Sequence, residues 1–351
     1  FNGDYCSDNG TNPSYWDAWL NNWSEQTTTD DGRLIPHIAV HGNHENGNYE
    51  VLNQLFDTPA TNGDPYDYYA LTFADKLLKI FVLNSELQNG STWADAFARQ
   101  NQWLATELEE SSDVEFLVSG YHKPLRPHTS GKSENPTLIA SWADLFYNHG
   151  MDISTDADSH MFKYTFPLAP CDDSDPECFQ SFKKDEAFGT FYFGEGSWGA
   201  GPRASDDDKP WTIYSGSFYQ FKWLHVYPAA GEEPAHIDIR TIVTGTIEGG
   251  ALVDHVSGVE NLTEENKYTA IPENINILDV PFFGTEMKIP FTLNEYDAAL
   301  PEAPANLAGT ATSFTEIDLT WEYNSQVPAS AFELEFKIGE GHWSVLNANI
   351  S

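Results

Sequence analysis

The feature of this sequence that most constrains its fold is a run of mostly apolar, β-prone residues that ends abruptly in polar ones. Residues 34–45 read LIPHIAVHGNHE. We interpret residues 33–40 as a buried strand that carries a polar loop to the edge of a sheet, which is where open α/β sheets place their ligand crevices. Gly42 lets the backbone turn where a side chain would obstruct it, and the amide of Asn43 offers a neutral oxygen to a cation.

Three other stretches also end in side chains that bind metals. Residues 1–4, Phe-Asn-Gly-Asp, predict the end of a strand with Asp4 at its tip. His122 follows a second predicted strand, and Asp158 and His160 follow a third. Strand ends that meet at one edge of a sheet bring such side chains together, although an aspartate that caps a turn is the alternative for Asp4.

This order of motifs, G-D, G-N-H-E, a His before a Pro and a D-x-H-like pair, resembles the calcineurin-like metallophosphoesterase superfamily and its purple acid phosphatase-like branch. The resemblance covers residues 1–245 and implies two divalent metal ions, with Mn, Fe or Zn as candidates. It implies that Asp4 bridges them, that Asn43 and His122 bind the second, and that His160 binds the first. His44 then matches the histidine that stabilises the transition state or protonates the leaving oxygen, the alternative being an imidazole without a chemical role.

The sequence departs from the family pattern at three places. The first motif, D-x-H, is absent, and we expect it on a strand encoded before Phe1; this fragment should therefore bind its first metal poorly and be nearly inactive. The tyrosine expected three residues after Asp4 is Ser7. Asp158 stands where the family has a histidine, which adds negative charge and favours harder metals. The alternative is that Asp158 caps its loop and that His128 supplies the ligand.

Three further residues are candidates for binding the substrate. Arg126 and His128 follow His122 closely enough to reach a phosphate oxygen, although a surface salt bridge is the alternative for Arg126. Arg203 follows a glycine-rich loop, in the region where the family lines its cleft.

Charge and cysteine content limit the partners of the chain. Its formal net charge is −37, with 17 Lys and Arg against 54 Asp and Glu, which excludes nucleic acid as a bulk partner. No apolar run reaches the roughly 18 residues that span a bilayer. Cys171 and Cys178 predict a disulfide, which would suit a secreted, extracellular or periplasmic protein; two free thiols or a Ca²⁺-binding loop are the alternatives.

The periodicity of apolar residues predicts an α/β protein, a two-sheet β-sandwich flanked by helices in four layers. Helices are expected at 15–23, 49–56, 94–110 and 136–149, and strands at 69–73, 77–84, 114–119, 151–154, 190–194, 218–227 and 236–244. Residues 246–300 form a connecting segment without a confident assignment. Residues 301–351 resemble the first half of an all-β fibronectin type III sandwich with Trp321 in its core, although a whole sandwich needs about 100 residues. Such a module predicts contact with a surface or polymer.

Together these observations predict a secreted, dinuclear metal-dependent phosphoesterase that acts on a small phosphorylated substrate. Attack by a metal-activated water on a phosphate monoester is the expected reaction. A phosphodiesterase or nucleotidase is the alternative within this chemistry, because the shared core does not fix the leaving group. A non-catalytic secreted binding protein that has kept the fold is the alternative outside it, and the residues encoded before Phe1 discriminate the two.

Overall fold

A computed structural model of the chain describes residues 1–254 except 30, 62, 91–92 and 232–233, together with five strands between 287 and 350. It divides into two compact units, Phe1–Phe291 and Thr292–Ser351. The predicted domain boundaries at 245 and 300 stay predictions.

The first unit is built on an eight-stranded mixed sheet. Its strands are β1 (Tyr69–Phe73), β2 (Leu78–Val82), β3 (Phe116–Gly120), β4 (Ile153–Thr155), β5 (Phe162–Pro170), β6 (Phe182–Lys184), β7 (Thr190–Gly194) and β8 (Thr212–Gly216). Their order is β1-β2-β3-β4-β7-β5-β6, and β8 also pairs with β5. The pairs from β2 through β3 and β4 to β7 are parallel, so their carboxyl ends lie along one edge. The predicted hairpin of residues 69–84 is confirmed as the antiparallel pair β1–β2.

A second, antiparallel sheet packs against the first. It contains β9 (Tyr219–Tyr227), β10 (His236–Glu248), β11 (Ala251–Asp254) and β12 (Met287–Ile289). Buried Phe116, Ile153 and Phe193 of the first sheet share one apolar cluster with Ile237 and Ile239 of the second. Removing this surface from water stabilises the face-to-face packing, and the predicted two-sheet sandwich is confirmed.

The described part of the first unit also contains the helices α1 (Pro13–Gln26), α2 (Val51–Phe56), α3 (Ala94–Glu109), α4 (Pro136–Leu138) and α5 (Asp144–Asn148), with single 3₁₀ turns at Asn43–Glu45 and Ser85–Gln88. Of these, α3, α4 and α5 cover the other face of the first sheet, whereas α1 and α2 pack with Tyr5 and Ala39. Leu104 of α3 and Phe146 of α5 pack in one buried cluster with Phe81 and Leu117 of the sheet. The helix predicted at 136–149 contains a π-helical turn, Ile139–Ala143, between α4 and α5. In the described part of the chain, every helix precedes β4, and a helical layer over the second sheet is not seen.

Two predicted strands are wrong. Residues 33–40 make no sheet ladder, only an isolated bridge from Leu34 to Thr28. Tyrosine hydroxyls replace the neighbouring strand, because the Val40 N–H donates to the Tyr5 hydroxyl at 3.1 Å and the Tyr69 hydroxyl donates to the Ala39 carbonyl at 2.7 Å. Residues 1–4 are not a strand end either, since Gly3 and Asp4 have φ values of 89° and 61°, which strands do not adopt.

The second unit contains two antiparallel strand pairs. β13 (Ala305–Ala311) pairs with β14 (Ile317–Glu322), and β15 (Phe332–Phe336) pairs with β16 (Ser344–Ile350). The β pattern predicted here is confirmed over these strands. Trp321 lies on β14, but its side chain is outside the described residues, and the fibronectin type III assignment stays a prediction.

The predicted disulfide is confirmed, because Cys171 and Cys178 are bonded with their Cα atoms 5.7 Å apart. Cys6 is buried and unbonded. None of the described helices has the length and apolar content to cross a bilayer.

Candidate metal centre

Four predicted ligands converge at the carboxyl edge of the parallel strands. His122 follows β3 and Asp158 follows β4, which are neighbours in the sheet. Asn43 opens a 3₁₀ turn beside them, and Asp4 reaches the same place from the amino-terminal segment. The metal-binding atoms of Asp4, His122 and Asp158 all lie within 4.8 Å of one another. The sheet topology thus explains how residues far apart in the sequence meet.

The imidazole of His122 is the centre of this group. Its Nδ1 donates to the carbonyl oxygen of Asn2 at 2.6 Å. Its Nε2 lies 3.1 Å from Asp4 Oδ2, 3.2 Å from Asn43 Oδ1 and 3.6 Å from Asp158 Oδ1. Because a carbonyl only accepts, Nδ1 carries the proton, and Nε2 of the neutral ring directs its lone pair at three oxygens. The lone pair of Nε2 and those of the oxygens repel one another unless a second proton or a metal ion lies between them. These residues therefore fit a cation.

The ionisable side chains of the group shift each other's pKa values. Burial lowers the pKa of His122, but hydrogen bonds with Asp158 and Asp4 outweigh burial and raise it well above its usual value. Burial raises the pKa of both aspartates, yet the interactions with His122 pull each below its usual value, and Lys132 lowers that of Asp158 further. Both carboxylates are therefore ionised at neutral pH, and each offers an oxygen that can bind a cation.

Three residues at or beside the site have a left-handed backbone. Asp4, Asp158 and His160 have φ values of 61°, 60° and 54°, in the left-handed region that non-glycine residues rarely adopt. The strained loop is tied down by Arg203, whose Nη1 donates to the Asp158 carbonyl at 2.7 Å. Strain held by surrounding contacts is characteristic of functional sites.

Glu45 organises the loops that carry Asp4 and Asn43. It is fully buried, and its carboxylate accepts backbone N–H groups of Gly42 and Asp4 at 2.9 Å and of Tyr5 at 3.0 Å. Gly42 is required by close approach, because a Cβ there would lie 2.4 Å from Asp4 Oδ1. The sequence reasoning missed the role of Glu45, although its place directly after the Asn-His pair was a usable signal.

Replacing Glu45 with alanine is expected to lower the free energy of unfolding by about 3 kcal/mol or more, because each buried N–H left unpaired costs about 1–3 kcal/mol. Urea unfolding measures the change. Glu50→Ala is the control, since Glu50 is exposed and makes no side-chain cap to α2. An equal effect of the two substitutions would contradict the role given to Glu45.

The two remaining predicted histidines lie beside the group. The backbone N–H of His44 donates to Asp4 Oδ1 at 2.9 Å, and its ring Nδ1 donates to the Asp8 carbonyl at 3.2 Å. The ring Nδ1 of His160 donates to the Gly201 carbonyl at 3.2 Å. Burial lowers the pKa of His160, which favours the neutral ring that a metal requires.

The structure separates the three predicted substrate-binding residues. Arg203 lies at the group, on Asp158. The guanidinium of Arg126 is engaged with Glu134, the Gln180 carbonyl and Ser181. His128 is fully buried, with its ring nitrogens 3.1 Å from Glu195 Oε1 and 2.7 Å from Thr212 Oγ1. Arg126 and His128 thus support neighbouring structure.

Lys132 is a site residue that sequence reasoning did not find. Its ammonium donates to Asp158 Oδ1, the carboxylate oxygen that also faces His122. The scarcity of cations in so acidic a chain was the only signal for it, since Lys132 lies ten positions after His122 without a motif of its own.

The donor set indicates which ions suit the site. Asp4, Asn43 and Asp158 offer oxygens and His122 offers one nitrogen. Three oxygens and one nitrogen suit Mn²⁺, Mg²⁺ or Fe²⁺ better than a sulfur-rich site would, and Zn²⁺ remains compatible because it binds such donors strongly.

The two-sheet architecture resembles that of a solved structure. The structure is similar to that of the purple acid phosphatase PPD1 from seeds of yellow lupin (Lupinus luteus), with a TM-score of 0.50 and 16% sequence identity. A lower similarity, with a TM-score of 0.47 and 12% identity, relates it to GAP50, the anchor in the inner membrane complex of Plasmodium. No protein-family model and no curated protein matches the sequence.

Both similarities cover part of this chain and part of the other protein. The match covers 72% of this chain but 44% of the lupin phosphatase, and 72% of this chain and 76% of the Plasmodium protein. At 16% identity the likeness to the lupin enzyme shows a common fold alone.

Proposed function

We propose that this protein is a metal-dependent phosphoesterase that hydrolyses phosphate monoesters. The observation that carries the proposal is the convergence of Asp4, Asn43, His122 and Asp158 on one buried point, with two ionised carboxylates. When bound there, a pair of divalent cations supplies an activated water and neutralises the charge of an in-line displacement. Two ions are part of the proposal: Asp4 would hold both, Asn43 and His122 would hold the second, and His160 would hold the first.

The chain's own residues supply binding and proton transfer. The hydrogen bond from Nδ1 of His44 to the Asp8 carbonyl leaves Nε2 for the substrate, and in the imidazolium form Nε2 carries the proton that is transferred. We assign His44 the role of protonating the leaving oxygen, because its backbone N–H is held on Asp4 at 2.9 Å and this fixes the residue beside the ligands. Arg203, held on the carbonyl of Asp158, lies where a guanidinium can bind a phosphate oxygen.

Replacing His44 with glutamine in the metal-loaded protein is expected to lower kcat by about 100-fold or more, the usual range for lost acid catalysis. The loss should be larger for an alkyl phosphate than for 4-nitrophenyl phosphate, whose good leaving group needs little protonation. Metal content, measured by atomic emission, should stay unchanged. His149→Gln, at the end of α5, is the control.

Equal losses on the two substrates would contradict the acid role of His44. A protein that binds two divalent ions and hydrolyses neither substrate would contradict the proposed activity. Faster hydrolysis of bis(4-nitrophenyl) phosphate than of 4-nitrophenyl phosphate would replace the monoesterase by a phosphodiesterase.

The disulfide between Cys171 and Cys178 supports a secreted location, as part of the same proposal.

A further inference from the structure

A cationic side chain already contacts the proposed ligand Asp158. The ammonium of Lys132 donates to Asp158 Oδ1, and that same oxygen lies 3.6 Å from His122 Nε2. The side chain of Lys132 is 24% exposed, whereas that of Asp158 is 7% exposed. The ammonium therefore stands between the buried ligands and the solvent from which a substrate arrives.

The loop that carries Lys132 is held in place. The backbone N–H of Lys132 donates to the Thr129 carbonyl at 3.2 Å. The N–H and hydroxyl of Ser130 donate to the two carboxylate oxygens of Asp206 at 2.7 and 2.8 Å. Asp206 follows Arg203 on one loop, and the guanidinium of Arg203 contacts the Asp158 carbonyl. Two cations thus approach Asp158 from two linked loops, in a chain with only 17 Lys and Arg.

Charge balance indicates what the ammonium does when the site is loaded. A divalent ion on Asp158 would compensate the carboxylate that Lys132 now compensates, and two cations at one carboxylate oxygen repel each other. Lysine carries its charge on a flexible four-carbon stem, so the ammonium can change partners while its loop stays fixed. A phosphoryl group bound at the metal-loaded site would be an anion within reach of the Lys132 ammonium.

We propose that Lys132 is a phosphate-binding residue that exchanges Asp158 for a phosphoryl oxygen of the substrate once a metal ion is bound. This inference rests on the proposed function and identifies which cation holds the oxyanion. It makes Lys132 a ligand for phosphate and a competitor of the metal, which are two separately measurable properties.

The test is calorimetry of the 351-residue chain and its variants, first with Mn²⁺ alone and then with inorganic phosphate at saturating Mn²⁺. Lys132→Met keeps the length of the stem and removes the charge. It should bind Mn²⁺ at least as tightly as the unmodified chain and bind phosphate about tenfold or more weakly, as expected for a lost hydrogen bond between charged groups. Lys132→Arg should retain most of the phosphate affinity. Lys183→Met is the control, because it removes the same charge from an exposed ion pair with Asp175.

The outcomes separate this inference from the proposed function. If the unmodified chain binds neither Mn²⁺ nor phosphate, both are wrong. If it binds both and Lys132→Met binds phosphate as tightly as Lys183→Met does, the role of Lys132 alone is wrong. Weaker Mn²⁺ binding by Lys132→Met would also overturn the inference, because it would show that Lys132 positions Asp158 for the metal instead of competing with it.

Discussion

Replacing Lys163 with methionine is expected to lower the free energy of unfolding by about 3–5 kcal/mol, as removal of one partner from a buried ion pair usually does. The Lys163 ammonium lies 2.8 Å from Asp156 Oδ2 and 2.9 Å from Glu195 Oε1, and all three side chains are at most 2% exposed. Methionine fills similar space but leaves two buried carboxylates without their cation. Guanidinium unfolding at neutral pH measures the change.

The loss should also depend on pH. Burial raises the pKa of Asp156 to about 7, although Lys163 opposes the shift. Without Lys163 this carboxyl binds a proton more readily, so the variant carries less uncompensated buried charge in acid. The destabilisation is therefore expected to be smaller at pH 5 and to grow as the pH rises through 7 and above.

A surface ion pair provides the comparison for Lys163. Lys183 and Asp175 are separated by 2.8 Å, but their side chains are 36% and 28% exposed. Lys183→Met should cost less than about 1 kcal/mol. Equal costs for the two lysines would mean that the buried network does not hold the loop between Asp156 and His160 in place.

Replacing Asp158 with alanine in the metal-loaded protein is expected to remove about one metal ion per chain and most of the turnover of an aryl phosphate. Even partners outside the ligand shell change metal affinity by about 10–100-fold, and a lost ligand should exceed that. The fold should persist, because Asp158 belongs to a loop after β4 and not to the core. Metal analysis and circular dichroism measure the two effects.

Asp158→His replaces the carboxylate with an imidazole and should shift the metal preference toward Zn²⁺ without abolishing activity. Asp113→Ala is the control, because it removes the same charge from an exposed pair with Lys76. Retention of two metal ions and near-normal turnover by Asp158→Ala would leave Asp158 no place in the site.

Much of the fold followed from local patterns in the sequence. Alternating and helical periodicity predicted the strands β1 to β4, β7, β9 and β10 and the helix α3, because each buries one regular face. The convergence of His122 and Asp158 was anticipated because both follow neighbouring strands, whereas Asn43 reaches the same edge from a segment that is not a strand. The cysteine spacing predicted the disulfide.

The remaining features depend on contacts that no local pattern shows. Residues 33–40 have the composition of a strand, yet hydroxyls of Tyr5 and Tyr69 satisfy part of their backbone. Glu45 and Lys132 gain their roles from loops that meet only in the folded chain. Arg126 and His128 were close to His122 in sequence, but competing carboxylates, Glu134 and Glu195, engage them elsewhere.

The central claim is that His122 Nε2 and the oxygens around it hold a divalent cation. Anomalous diffraction from crystals of the chain soaked in Mn²⁺ tests this most directly. One strong anomalous peak is expected within bonding distance of Asp4 Oδ2, Asn43 Oδ1, His122 Nε2 and Asp158 Oδ1. This peak should be lost in His122→Ala. Crystals with Mn²⁺ bound only elsewhere, with the ammonium of Lys132 still on Asp158, would contradict it.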